Sequence, residues 1–298
     1  MIPTINSDEL KKELLAIFVD LIALCDKHGL EYYLSGGTAI GALRHQGFIP
    51  WDDDIDIYLK REDYNRFLAL APALSRSESP YEIIDPTMPG YYLAFAKFCR
   101  KESTIWESED RPFLTGLYID VFPLDEWDGS NKNIELAIRY RKTWEAYSRS
   151  VTRPLRGEWK VALSKLDLKK TLGLCHSAWL RTQSNRLDAK LRRMEEEIQD
   201  IHGDYLYCYG LNQALQNKVY PKAWFEGRVD VQFEGIRVKT HTGTHEYLSK
   251  QFGDYMTPPP EAERVSLHGR FFLDLYHRYR DPKEVYAIIK GKKSQISF

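Results

Sequence analysis

The residue pattern of this chain predicts an α+β protein, a mixed β-sheet core flanked by helices and carrying a mainly helical insertion. Three observations carry that expectation. Helical and strand patterns alternate from Ser7 to Leu70, strand-like apolar runs follow from Tyr81 to Phe122, and the stretch from Asn133 to Gln216 is helical with no comparable strand run. These shifts divide the chain into residues 1–129 as a core, 130–218 as the helical insertion, and 219–298 as a C-terminal hairpin and helical segment completing the core.

Ser7-Asp8-Glu9 reads as a helix start, and Leu10, Leu14, Ile17, Phe18, Leu21, Ile22 and Cys25 recur at helical spacing until His28-Gly29. Tyr32-Tyr33-Leu34 is a short strand running into Ser35-Gly36-Gly37. The small residues from Thr38 to Leu43 suit a helix whose N-terminal amides face that turn, and Pro50 closes the unit. Asp54 to Leu59 alternates polar and apolar as a half-buried strand does, and Arg61 to Leu70 is the next helix. Tyr81 to Ile84 and Tyr91 to Cys99 are two strands joined by a turn over Pro86 to Gly90, and Leu117 to Phe122 is a third, stopped by Pro123. In the insertion, Glu195, Glu196 and Glu197 are expected to face solvent. Val229 to Val238 reads as a hairpin turning at Glu234-Gly235, and Lys290 to Phe298 as a fraying end.

Composition excludes several function classes. Lys+Arg 42 against Asp+Glu 43 leaves a net charge of -1, so no basic field argues for nucleic acid as a partner. Cys25, Cys99, Cys175 and Cys208 lie far apart without a Cys-x-x-Cys pair, which fits a reducing cytoplasm rather than a zinc knuckle or a secreted disulfide scaffold. Residues 1–9 lack the basic flank and apolar core of a signal peptide, and no apolar run approaches the ~20 residues a bilayer requires, so a cytoplasmic protein is expected. Arg149 to Arg181 holds eight lysines and arginines against Glu158 and Asp167, with Trp159, Ala162, Leu163 and Leu166 on one side, a pattern that points to peripheral contact with an anionic membrane. His241 and His245 lack the His-Glu-x-x-His order of a zinc protease and read as structural.

The chemistry is concentrated between Leu34 and Ile57, where a glycine turn is followed by Asp52, Asp53, Asp54 and Asp56. Residues two apart on a strand share a face, so Asp54 and Asp56 present paired carboxylates while Ile55 and Ile57 face the core. Asp120 alone interrupts the apolar run Leu117 to Phe122 and is expected beside the pair. An acidic turn facing water is the plain alternative. It accounts poorly for Asp56 and Asp120, since a carboxylate inside an apolar run is costly to bury without a cation or strong donor. Asp54, Asp56 and Asp120 are therefore assigned to metal, with Asp52 and Asp53 supporting them or capping a helix. Such an oxygen-only set suits magnesium shared with substrate phosphates, or manganese in its place. Gly36 and Gly37 allow close backbone approach to a phosphate, without the Lys-Ser/Thr of a P-loop or the Gly-x-Gly-x-x-Gly of a dinucleotide site. Arg44 and Lys97 are candidate phosphate ligands.

The glycine turn with Thr38, the Asp-x-Asp strand and the later strand aspartate resemble the polymerase-beta-like nucleotidyltransferase superfamily. Gly37 through Ile57 is closer still to the signature of the LicD family, whose relatives include the fukutin-type ribitol-phosphate transferases. Phe95-Ala-Lys97, Ile119 to Asp125, Tyr220 to Phe225, Phe233 to Gly235, Phe252 to Met256, Pro258-Pro259 and His268 extend the resemblance over most of the chain outside the insertion. The chain departs from the family at Val238-Lys239, where Val-Pro is common, and at Thr257.

This resemblance implies a nucleotidyltransferase-like core that transfers a phospho-alcohol, typically phosphocholine from CDP-choline, onto a sugar hydroxyl of a lipid-linked cell-surface glycan or teichoic acid precursor, releasing CMP. It implies two magnesium ions at Asp54, Asp56 and Asp120, one acidifying the acceptor hydroxyl and one at the diphosphate, with Asp120 also placed to take the proton. Gly36, Gly37, Thr38, Arg44, Lys97, Trp51 and His268 would bind substrate, and Trp51, Tyr91, Tyr92, Trp106 and Tyr118 supply candidates for an aromatic choline cage. Two other readings stay open: a nucleotidyltransferase releasing pyrophosphate, and a non-catalytic glycan-binding protein on the same fold.

Overall fold

The structure, a computed structural model, describes residues 7–153, 158–210, 218–266 and 269–294. Helix α1 (Ser7–His28) buries the expected apolar stripe from Leu10 to Cys25, with acidic residues in its first turn and basic ones in its last, each opposing the helix dipole. Then come β1 (Tyr32–Leu34), α2 (Gly36–His45), β2 (Asp56–Lys60), α3 (Arg61–Leu68), α4 (Ala71–Arg76), β3 (Tyr81–Ile84), β4 (Ala96–Arg100), β5 (Thr104–Trp106) and β6 (Tyr118–Trp127). The insertion contributes α5 (Asn131–Val151), α6 (Glu158–Ser164), α7 (Leu168–Thr182) and α8 (Ser184–Gln199). The chain returns through β7 (Tyr205–Tyr207), β8 (Val219–Pro221), β9 (Arg228–Phe233), β10 (Ile236–His241), α9 (Thr244–Phe252), β11 (Phe272–Asp274) and α10 (Pro282–Ser294).

One seven-stranded sheet organises the core, with β1-β2-β6-β4-β3 in order and β7 pairing both β6 and β8. Only β2 and β6 run parallel within it, and their register sets Asp56 opposite Asp120. The α+β class and the mixed sheet agree with the sequence. The 229–238 hairpin also forms, turning at Glu234 and Gly235 with φ of 49° and 79°, as a tight two-residue turn requires.

Several expectations need correction. Pro123 does not stop its strand, because β4 already ends at Ala96 opposite Val121 and β7 begins only at Asp125. In that gap a missing N–H leaves no antiparallel neighbour unpaired, so β6 continues to Trp127. The mainly helical stretch also holds a strand, β7, whose three residues are too short to show a period of two. The strand read from Tyr91 begins only at Ala96, after an irregular segment. Glu195 turns inward, unlike Glu196 and Glu197. Its carboxylate accepts from Tyr140 Oη at 3.0 Å and pairs with Arg192 at 2.6 Å, partners that charge counting along the chain does not reveal.

Two buried polar groups tie the layers together. At the start of α3, Arg61 grips Asp125 of β6 with Nε–Oδ1 of 2.6 Å and Nη2–Oδ2 of 2.9 Å, and the Asp125 side chain is 1% exposed. Replacing Arg61 with Met strands that carboxylate and should lower stability to urea by about 3 kcal/mol, with most of the loss recovered on adding Asp125→Leu. An unchanged midpoint in the single variant would show that the pair holds nothing. His241 stacks on Phe225 with centroids 3.9 Å apart, and burial pushes its imidazole down to about 4. The unfolded chain binds this proton below about 6.5 and the folded chain only near 4, so stability should fall on acidification through that window, by up to about 3 kcal/mol. His241→Phe should flatten that part of the stability profile measured by denaturant titration.

Candidate active site

A cavity of about 350 Å³ opens where β1 turns into α2 and where residues 51–54 lead into β2. Gly36 and Gly37 form its floor, the first held at a positive φ that favours glycine and the second lying where a side chain would displace the Asp52 carboxylate. A Cβ on Gly37 would lie 2.5 Å from Asp52 Oδ2, and one on Gly36, where φ is 49°, would lie 3.7 Å from Asp56 Oδ2. Asp56 is fixed by its backbone. Its N–H donates to Thr38 Oγ1 at 2.8 Å and its carbonyl accepts from Ser35 N–H at 3.0 Å. The Gly36 N–H donates to Tyr247 Oη at 2.9 Å, which ties the turn to α9.

The loop that delivers the aspartates is braced from the far end of the chain. At the β9–β10 turn, Glu234 accepts from Phe48 N–H at 2.9 Å and donates its own N–H to Gln46 O at 2.8 Å. Lys11 Nζ donates to Pro50 O at 2.8 Å. Asp53 points away from the cavity, pairing with Arg270 and accepting from Ser266 Oγ at 3.0 Å, while Asp52 and Asp54 line the cavity with Asp56.

Charge is concentrated here. Burial pushes the Asp56 carboxyl well above the usual range, and Asp54, Asp120 and Asp52 push it further in that order, with Lys97 opposing. Among the described residues no three His, Cys, Asp or Glu side chains already meet as a ligating cluster. The donor chemistry nevertheless fits a hard cation, since carboxylates alone crowd a buried position whose cost a divalent ion would offset.

Asp120 has a cationic partner. Lys97 Nζ lies 2.7 Å from Asp120 Oδ1, 3.2 Å from Glu107 and 3.2 Å from the Tyr118 ring centroid, and its side chain is 2% exposed. Burial works against its charge, but Asp120, Tyr118 and Glu107 outweigh it and keep the ammonium well above its usual range. Partial burial works to raise the half-buried Glu107, but Lys97 and hydrogen bonds from Tyr118 and Tyr92 bring it down to about 2.

The sequence-derived ligands therefore sort differently in space. Asp54, Asp56, Gly36, Gly37 and Trp51 line the cavity, and the register brings Asp120 beside Asp56. Thr38 holds the Asp56 backbone. Lys97 faces Asp120 and Glu107 rather than an open phosphate site. Arg44 donates to the Tyr255 carbonyl at 2.5 Å and to His45 at 2.9 Å, so it clamps the segment after α9. Tyr91 and Trp106 are buried in packing, and Tyr92 and Tyr118 both donate to Glu107, which leaves Trp51 alone of the expected cage at the cavity. His268 lies outside the described residues.

Residue reading missed Lys218. It lines the cavity, is 3% exposed, and is brought down to about 8 by burial, with Cys208 and then Asp56 acting in the opposite sense. A lone lysine ahead of the short apolar run Val219-Tyr220 was the available signal. Tyr58, Phe122 and Phe252 add aromatic lining beside Trp51.

Known proteins resemble this chain over the region that holds the cavity. A family model described as the LicD/FKTN/FKRP nucleotidyltransferase domain matches residues 29–158, which hold the glycine turn, Asp52, Asp53, Asp54, Asp56, Glu107 and Asp120. The chain is 31% identical over 249 residues to the lipopolysaccharide cholinephosphotransferase LicD of Haemophilus influenzae, covering 83% of this chain and 89% of that protein. A shorter match, 40% identical over 43 residues, joins it to the ribitol 5-phosphate transferase FKRP of human and mouse, covering 14% of this chain and 9% of theirs. With an acidic core of that description and a relative aligned over nearly its whole length, the chain belongs to the LicD family.

Proposed function

We infer that this chain, a LicD-type phosphotransferase, moves phosphocholine from CDP-choline onto a sugar hydroxyl of a cell-surface glycan or teichoic acid precursor. The acceptor in this reading is lipid-linked and met at the cytoplasmic face of the membrane. The observation that carries it is the half-buried Asp56 near Asp52, Asp54 and Asp120, with Lys218 lining the same cavity. Clustered carboxylates next to a buried cation suit a ligand that is itself both metal-chelating and anionic, as a diphosphate is.

Asp54, Asp56 and Asp120 would hold magnesium, or manganese, most simply as two ions. Bound there, the metal supplies charge neutralisation at the diphosphate and a more acidic acceptor hydroxyl. The protein's own groups do the rest. Lys218 reaches the donor phosphates, Lys97 holds Asp120 in place, and the Gly36-Gly37 floor lets the donor approach the acids without a side chain intervening. Trp51 and Phe252 offer rings to a trimethylammonium group. The acceptor oxygen bonds to the choline-bearing phosphorus and its proton passes to Asp120, while the bond from that phosphorus to the bridging oxygen breaks and CMP leaves with that oxygen.

Incubation with CDP-choline, magnesium and a lipid-linked glycan should release CMP and label the glycan. Chelation should abolish this, and Asp54→Asn, Asp56→Asn or Asp120→Asn should each lower CMP release by more than about a hundredfold. Pyrophosphate formed from CTP would replace this reading with nucleotidyl transfer, and calorimetry without magnesium-dependent nucleotide binding would replace it with a glycan-binding role. Lys218→Met should weaken CDP-choline binding by about tenfold to a hundredfold in calorimetry, with partial retention in Lys218→Arg and no loss of thermal stability. Wild-type affinity in Lys218→Met would remove this lysine from the donor site.

A further inference from the structure

We propose that the outer face of α6 and α7 docks the chain onto an anionic lipid bilayer. Helix α7 has two apolar edges. Leu174 and Leu180 are buried on the inner one. On the outer one Leu168, Leu172 and Trp179 recur at four- and seven-residue steps, exposed by 71%, 60% and 56%, with the His176 ring stacked on Trp179 at 5.9 Å. Helix α6 buries Ala162 yet exposes Val161 and Leu163, and Leu166 in the connecting turn is 89% exposed. Seven of the fourteen exposed large hydrophobic residues among the described residues fall between Trp159 and Trp179. Single exposed leucines are ordinary on a soluble protein, but a contiguous set on one helical hairpin marks a surface that meets an apolar partner.

Charge selects the partner. Lys160, Lys165 and Lys169 are exposed around the leucines, and both nearby acids are engaged locally. Glu158 pairs with Lys170 at 3.5 Å, and Asp167 caps α7 by accepting from Lys170 N–H at 2.9 Å. Leucine and tryptophan at the tip with lysines bordering them match a bilayer interface, where the rings and aliphatic chains enter the headgroup boundary and the ammonium groups stay with anionic phosphates. No helix among the described residues is long and apolar enough to cross a membrane, so the contact would lie on the surface. This proposal bears on the transferase reading only by bringing the chain to a lipid-linked acceptor, and it is tested without donor or acceptor.

The full chain is sedimented with phosphatidylcholine vesicles and with vesicles that also contain phosphatidylglycerol. It should partition to the second kind at least tenfold more strongly, with a blue shift in tryptophan emission and weakening by salt. The triple variant Lys160→Glu, Lys165→Glu, Lys169→Glu should lose about a hundredfold in partitioning. Leu166→Ser with Leu168→Ser and Leu172→Ser should lose at least tenfold. Both variants should keep the wild-type unfolding midpoint and magnesium-dependent CDP-choline binding, since these side chains are exposed, and if one precipitates the other decides. Wild-type partitioning in either folded variant overturns the proposal. So does a chain that ignores anionic vesicles and instead forms dimers that Leu166→Ser dissociates.

Discussion

Everything at this site follows from the parallel register of β2 and β6, which seats Asp56 opposite Asp120. In a sheet otherwise built from antiparallel pairs, that one alignment brings like charges from distant parts of the chain to adjacent buried positions. Such an arrangement is unfavourable by itself, since enclosure first and the neighbouring carboxylates second push the Asp56 carboxyl above its usual range. The fold tolerates it through Lys97, whose ammonium is enclosed by Asp120, Glu107 and the face of Tyr118. A fixed internal cation therefore neutralises the β6 side of the cluster, while the Asp52 and Asp54 side faces the cavity.

The same constraint explains the glycines. Gly36 takes a positive φ that favours glycine, and a Cβ on Gly37 would lie 2.5 Å from Asp52 Oδ2 and displace that carboxylate. It also explains the supports. A loop carrying three consecutive aspartates repels itself, and it is held by Lys11 from α1, Glu234 from the hairpin tip, and Arg270 from the segment before β11. Aromatic packing of His241, Phe225 and Tyr247 lies beneath, and the Tyr247 hydroxyl reaches up to the glycine turn.

Much of this was legible from residue order. The helix and strand order from Ser7 to Leu59, the isolated Asp120 and the Glu234-Gly235 turn are local signals that the structure keeps, whereas the strand read from Asp54 begins only at Asp56 and leaves Asp54 in the preceding loop, so no strand repeat aligns that pair. Partner identity was not legible. Lys97 and Arg44 look like phosphate ligands along the chain, because nothing local reveals that Asp120 and the Tyr255 carbonyl already engage them. Lys218 went unnoticed for the converse reason, its importance arising from burial beside groups 160 residues away. The continuation of β6 through Pro123 was hidden because a proline penalty depends on whether a neighbouring strand is present at that point.

The bracing by Glu234 has a temporal consequence. During synthesis the acidic loop and both of its strands leave the ribosome more than a hundred residues before the hairpin that steadies residues 46–48. A nascent chain ending near residue 129 would already hold every aspartate of the cluster while lacking the buttress for the loop. The bracing of the acidic loop is thereby deferred until the distal quarter of this sequence has emerged, which makes the cavity and its supports discontinuous in sequence.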